Sequence, residues 1–315
     1  MSKEESVTIS NEGHQLAGTL CHPTGAASGI SILLIAGSGQ HDRNQNSKKF
    51  KLNLFNTLAE QLASAGIHTL RYDKRGCGDS EGEYAAVGHT DLVSDARAWL
   101  NYMTSRLDDT SQITCVLGHS EGTIICPQIA ADRKAVNGQI LLAPFLEPLQ
   151  AVTERQARQT LETITTLPGV YGKFIRLILR LQGDQLVKQR KHFQRARESK
   201  KPFFRKGFRK VNAKWLREIA ALNPVKIHIS VSLPTLAVAG EKDLQCLPTD
   251  ADRLRELLPE TVTAITIPDM THILRADFNE PSLMSYSSLI KQPIDSRIVE
   301  SILAWLDNTA CFRRK

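Results

Sequence analysis

Short apolar, β-branched runs recur along this chain with helix-like stretches between them, and this alternation limits the possible folds more than any other feature. "VTIS" (7–10) and "LAGTL" (16–20) flank the turn-prone "NEGHQ" and read as an antiparallel pair. "ISILLIA" (30–36), "IHTLRY" (67–72), "ITCVLG" (113–118), "QILLA" (139–143), "TLAVAG" (235–240) and "VTAITI" (262–267) follow. Several are apolar at nearly every position, as expected of parallel strands covered on both faces. The stretches between them carry helical spacing. Phe55, Leu58 and Leu62 share a face, as do Leu92, Ala96, Trp99 and Met103, and later Ile298, Ile302 and Trp305. The pattern predicts an α/β fold, with an eight-stranded, mostly parallel sheet wrapped by helices.

The rhythm breaks once. About ninety residues between "QILLA" and "TLAVAG" contain no convincing strand, although a crossover needs little more than one helix. The expected organisation is a core of residues 1–143 and 235–315 with a helical cap insertion at 144–234. Within the insertion, "VYGKFIRLILRL" (170–181) is an apolar helix candidate. Residues 188–217 carry 13 Lys or Arg against one Glu, a net +12 that leaves −5 for the rest of a chain whose total is +7. Phe193, Phe203, Phe204, Phe208 and Trp215 are interleaved with these charges. A basic segment of this kind fits a solvated cap whose apolar residues pack inward. The competing reading is an electrostatic platform for nucleic acid or an anionic membrane.

With 41% hydrophobic and 23% charged residues the composition is that of a globular protein, and no run approaches the roughly 20 apolar residues of a membrane span. The polar start "MSKEESVTIS" lacks the apolar centre of a signal peptide, so a cytoplasmic protein is expected. Six dispersed cysteines with no C-x-x-C pair read as free thiols. No H-x-H or H-E-x-x-H cluster offers a metal site, and "GSGQHD" lacks the final glycine of a dinucleotide fingerprint, so neither metal nor cofactor is implied.

The strand "ITCVL" runs into "GHSEG" and then into the helix-like "TIICPQIAA". This strand–turn–helix setting marks Ser120 as a nucleophile held at a sharp elbow. Gly118 and Gly122 lack the side chains that would keep strand and helix apart. Here the chain resembles the α/β-hydrolase superfamily along essentially its whole length. Two further stretches carry the likeness. "YDKRGCGDSEG" (72–82) is similar to the superfamily's D-x-R-G-x-G-x-S loop, where Asp73, Arg75 and Gly76 are expected to stabilise a turn. "GSGQHDRN" (37–44) resembles the G-S-G-P-x-D-R-D loop of a bacterial esterase and peptidase-like group that also carries G-H-S-E-G. This chain departs from that loop at Gln40 and Asn44.

The resemblance implies a triad in the order Ser, acid, His. Asp243 lies just beyond one strand and His272 just beyond the next, where open α/β sheets place their ligands. Glu241 and Asp269 are weaker candidates for the acid, and the other eight histidines lack the required position. The superfamily pattern also implies an oxyanion hole built from the backbone N–H of Glu121 and that of Ser38, with Gly39 as the near alternative. The Glu121 carboxylate itself is expected to face solvent or to favour the helix N-terminus. The implied activity is hydrolysis of a small acyl ester, possibly anionic, through an acyl-enzyme. Acyl-thioesters and small peptides are the alternatives, and no nucleic acid partner is expected. A serine at the elbow argues against the aspartate nucleophile of haloalkane dehalogenases.

Overall fold

The computed structural model describes residues 3–48, 50–107, 113–131, 136–166, 169–170, 173–174, 185–309 and 312. Eight strands form one sheet: β1 (Lys3–Asn11), β2 (His14–His22), β3 (Ile30–Ile35), β4 (His68–Tyr72), β5 (Ile113–His119), β6 (Gly138–Leu142), β9 (Thr235–Gly240) and β10 (Val262–Ile267). Their spatial order is β1-β2-β4-β3-β5-β6-β9-β10. β1 pairs antiparallel with β2, and β2 with β4; every later neighbour is parallel. All eight sequence-predicted strands are present, within a residue or a few of the expected bounds.

The near-continuous apolar runs follow from two-sided burial. Along β3, Leu33 belongs to one core cluster while Ile32 and Leu34 belong to the other, so both faces of the pleat demand apolar side chains. One face is covered by α2 (His89–Arg106) and α3 (Gly122–Ala130), with Trp99, Met103 and Ile125 buried against it. The other face is covered by α1 (Leu54–Ser64) and α10 (Arg297–Asn308), through Phe55, Leu58, Ile298 and Ile302. Emptying such a position, as in Leu58→Ala, costs about 2–5 kcal/mol in comparable cores.

Between β6 and β9 lie α4 (Leu149–Thr166), α5 (Gln185–Glu198), a hairpin of β7 (Phe203–Lys206) and β8 (Arg209–Asn212), α6 (Ala213–Ala220) and α7 (Pro224–Ile229). α8 (Asp250–Leu257) and the short α9 (Tyr286–Leu289) complete the helices described. The hairpin departs from the expectation of no strand here. Its strands, "FFRK" and "RKVN", are exposed at half of their positions and buried at one, and its turn is made by Gly207 at φ 59°. A strand with so little buried face shows no apolar alternation to read. Most of the apolar helix candidate at 170–181 lies outside the described residues. Of the interleaved aromatics, Phe193 and Phe204 are buried, while Phe208 at the hairpin tip is fully exposed. Among the described residues no helix is long and apolar enough to cross a membrane.

Candidate active site

β5 ends at His119, and Ser120 follows with φ 53°, a left-handed conformation that costs a non-glycine residue roughly 1 kcal/mol or more. The elbow is tight enough to exclude side chains on either side of the serine. A Cβ on Gly118 would lie 2.3 Å from the Gly122 carbonyl carbon, and one on Gly122 would lie 2.2 Å from the Ile35 carbonyl oxygen. The turn is held by Ser120 N–H donating to Leu142 O (2.9 Å) and by Thr123 donating to Ser120 O from both its amide (2.9 Å) and its hydroxyl (2.6 Å).

Asp243 follows β9 and His272 follows β10, which are adjacent parallel strands, so the loops leaving them meet. His272 Nδ1–H donates to Asp243 Oδ2 at 2.8 Å, and both side chains are buried. Asp243 Oδ1 is held separately by the amides of Gln245 (2.7 Å) and Cys246 (2.9 Å). The carboxylate is therefore fixed at both oxygens, and His272 Nε2 is left as the nitrogen able to accept a serine proton. The rival acids are engaged elsewhere: Glu241 accepts from the Asp269 amide, and Asp269 pairs with Lys242. Asp243, Cys246 and His272 could together bring three ligand atoms within 4.8 Å of one another. Burial keeps the Cys246 thiol well above its usual range, so it is a neutral neighbour of the acid–base pair.

Ser120 and His272 line one cavity of about 340 Å³ with Ser38, Phe145, Val152 and Trp215. A larger groove of about 930 Å³ runs along β10 and α10, contains none of the candidate catalytic residues, and sits at the open edge of the sheet. Of the two sequence-predicted donors in the 35–43 loop, Ser38 lines the cavity and Gly39 does not. The Ser38 carbonyl accepts from His41 Nε2–H at 2.7 Å, which pins this loop. Asp73 ties the same loop down by accepting from the Arg43 amide (2.6 Å) and guanidinium (2.5 Å), and Arg75 pairs with Asp95 (2.6 Å). Asp73 also accepts from the Asp79 amide (2.9 Å) within its own turn, so beyond the expected turn role the D-x-R-G stretch braces the 35–43 loop and α2.

The Glu121 carboxylate does not face solvent. It is fully buried, accepts from Trp215 Nε1–H at 2.5 Å and lies 3.3 Å from Lys74 Nζ and 3.6 Å from His89 Nδ1. Burial works to raise its pKa, but Lys74, His89 and Trp215 outweigh it and hold the group down at about 2. The sequence expectation fails because these partners come from three distant segments. His119, which lacks a triad position in the sequence, also has a defined place. Its Nε2 faces the His272 carbonyl (2.9 Å) and its Nδ1 faces the Gln45 side-chain amide (3.1 Å). Burial, with His272 nearby, lowers its pKa to about 3, so the ring is neutral and donates from one nitrogen only. The consistent arrangement has Nε2–H donating to His272 and the Gln45 amide turned to donate to Nδ1, which also satisfies an otherwise orphaned Gln45 nitrogen.

These buried groups predict acid lability. His119 and His228, the latter lowered to about 4 by burial, refuse protons that the unfolded chain accepts near 6.5. Glu121, lowered to about 2, likewise binds its proton more weakly folded than unfolded. Each makes the unfolded state the better proton binder, so stability is full at neutral pH and falls as pH drops below about 6.5. The slope approaches ~1.4 kcal/mol per pH unit for each histidine. Urea midpoints at pH 7, 5.5 and 4.5 should decline steadily; a midpoint unchanged to pH 4.5 refutes neutral burial of these histidines.

A model of the serine aminopeptidase, S33 family (hydrolase 4) matches residues 51–279. Esterase EstD of Thermotoga maritima is 24% identical over 306 residues, which cover 96% of this chain and 67% of EstD. Among solved structures, ferulic acid-bound Est1E from Butyrivibrio proteoclasticus gives a TM-score of 0.58 at 17% identity, covering 94% of this chain and 99% of Est1E. The α/β hydrolase GrgF from Penicillium sp. sh18 gives 0.61 at 15% identity, covering 98% and 100%. At these identities the structural likenesses establish the fold, and the family match covers well over half the chain. The protein is a hydrolase of the α/β-hydrolase fold and belongs to the serine aminopeptidase, S33 family.

Proposed function

We propose that this protein hydrolyses carboxylic esters of small acyl groups through an acyl-enzyme on Ser120, with His272 as general base, Asp243 as its orienting acid, and the Ser38 and Glu121 amides receiving the oxyanion. In the first half-reaction Ser120 Oγ adds to the ester carbonyl as His272 Nε2 takes its proton. The tetrahedral intermediate then collapses, and the same proton passes to the departing alkoxide. Water repeats the sequence on the acyl-enzyme and releases the acid.

The observation that carries ester over peptide is the lining of the cavity. Phe145, Leu149, Val152, Trp215 and Ile219 supply apolar surface, and among the described residues no carboxylate lines it. A peptide's terminal ammonium would enter without a counter-ion, at a desolvation cost of several kcal/mol, whereas an acyl chain fits such walls. EstD is an esterase by name, which agrees with this reading. The residues of α4 and α6 that line the cavity lie in the 144–234 segment, which we read as a cap over the serine.

A turnover panel tests the proposal: short- and long-chain neutral esters, an acyl-CoA and an aminoacyl amide. Short-chain esters should be the best substrates, and preferential turnover of the amide overturns the reading. An anionic ester added to the panel tests the finer proposal that the basic segment steers substrate. Arg205, Lys206 and Arg209 are exposed, and their field is screened within roughly 8 Å at physiological ionic strength. kcat/KM for the anionic ester should fall with added salt, while that of a neutral ester of equal length stays level. Equal responses remove the steering role.

A further inference from the structure

Lys74 is a charged side chain only 3% exposed, and the chemistry outlined above makes no use of it. Its Nζ donates to the Gly37 carbonyl at 2.5 Å and reaches Glu121 Oε2 at 3.3 Å. These two contacts fall on the two segments that carry the candidate oxyanion donors. The Gly37 carbonyl and the Ser38 N–H are opposite ends of a single peptide group. A charged donor on that carbonyl therefore polarises the N–H at the other end and fixes the plane in which it points. Glu121 carries the second amide on its own backbone, and its buried carboxylate is an anion set beside the place where negative charge would develop.

We propose that Lys74 is the positioning residue of the oxyanion hole, an inference that rests on Ser120 being the nucleophile. It sharpens the Ser38 donor through the shared peptide. It also cancels the field of the Glu121 carboxylate, which uncompensated would oppose an oxyanion only a residue's width away. Glu121 is needed in turn because it anchors Trp215 of α6, whose indole N–H donates at 2.5 Å and whose ring lines the cavity. Asn212 caps α6 through the Trp215 amide (2.9 Å) and donates to the Tyr84 and Val87 carbonyls, so Trp215 reaches Glu121 from a fixed base. The buried Lys74–Glu121 pair therefore joins three pieces: the 35–43 loop, the elbow and the cavity wall.

A purely structural pin predicts the same contacts, so the test must read oxyanion stabilisation apart from folding. Lys74→Met removes the charge at nearly constant length. Lys74→Met with Glu121→Gln removes both charges and avoids stranding a buried anion, so it serves if the single variant fails to fold. Each variant is compared with the wild type in thermal midpoint, in the rate of fluorophosphonate attachment to Ser120, and in kcat and KM for a neutral short-chain ester. The single variant should label and turn over roughly 10- to 100-fold more slowly with KM within about twofold, less than the ~10²–10³ loss on deleting an oxyanion donor outright. The double variant should recover only part of this, because Gly37 still lacks its donor. Wild-type labelling by either folded variant, or a rise in KM at constant kcat, overturns the role of Lys74 and leaves the nucleophile assignment standing. Absence of label on Ser120 in the wild-type protein instead removes the nucleophile assignment, and the inference with it.

Discussion

Ser120→Ala is expected to lower kcat for an acyl ester by roughly 10⁴- to 10⁶-fold, with the thermal midpoint little changed. The chemical loss is total for the covalent route, since the nearby Thr123 hydroxyl is already engaged with the Ser120 carbonyl. The residual rate is whatever water achieves in a cavity that still holds the proposed base and oxyanion donors. The fold should tolerate the change because alanine keeps the Cβ and the strain at φ 53° is the same for both residues. The hydrogen bonds that hold the turn are made by the Ser120 backbone and by Thr123, not by the Ser120 hydroxyl. A fluorophosphonate should label the wild-type protein at Ser120 and leave the variant unlabelled. Label on another residue, or a variant with near-wild-type kcat, removes the serine from the mechanism.

What could be read from the sequence was set by local rules. A β-strand buried on both faces is apolar at nearly every position, so Ile30–Ile35 announces itself. A strand that turns within two residues into a helix needs glycines where Gly118 and Gly122 stand. Chain order supplied Asp243 and His272, because consecutive parallel strands deliver their loops to the same end of the sheet. The unread features depend on distance in sequence. Lys74 meets Glu121 across 47 positions, Trp215 meets it across 94, and Gln45 meets His119 across 74. Trp215 was visible only as one aromatic among basic residues, and nothing in "KVNAKWLRE" says that its indole reaches the elbow. Lys74 sits in a loop recognised for its aspartate, arginine and glycines. A lysine in a turn reads as exposed until the Gly37 carbonyl is placed beside it. The hairpin at 203–212 was missed for the opposite reason: it is local, but too exposed to carry a hydrophobic pattern.

Asp243→Asn should depress kcat by about 10⁴-fold, more steeply than the loss of one charge in a polar site would suggest. The reason lies in the two oxygens. Oδ1 accepts from the amides of Gln245 and Cys246, and Oδ2 accepts from His272 Nδ1–H. An asparagine must keep its carbonyl oxygen toward the two backbone donors, because its NH₂ there would face two N–H groups. The NH₂ is thereby forced against His272 Nδ1, which must then accept. That locks the ring as the Nε2–H tautomer, and such a ring cannot take a proton from Ser120. The imidazolium formed during acylation also loses its anionic partner. Both effects act on kcat and spare KM, so the Asp243→Asn enzyme should bind substrate normally and turn over four decades more slowly at neutral pH. An Asp243→Asn enzyme within tenfold of wild type assigns the acid to another carboxylate. Glu241 and Asp269 then come first, although each is already bonded away from the histidine.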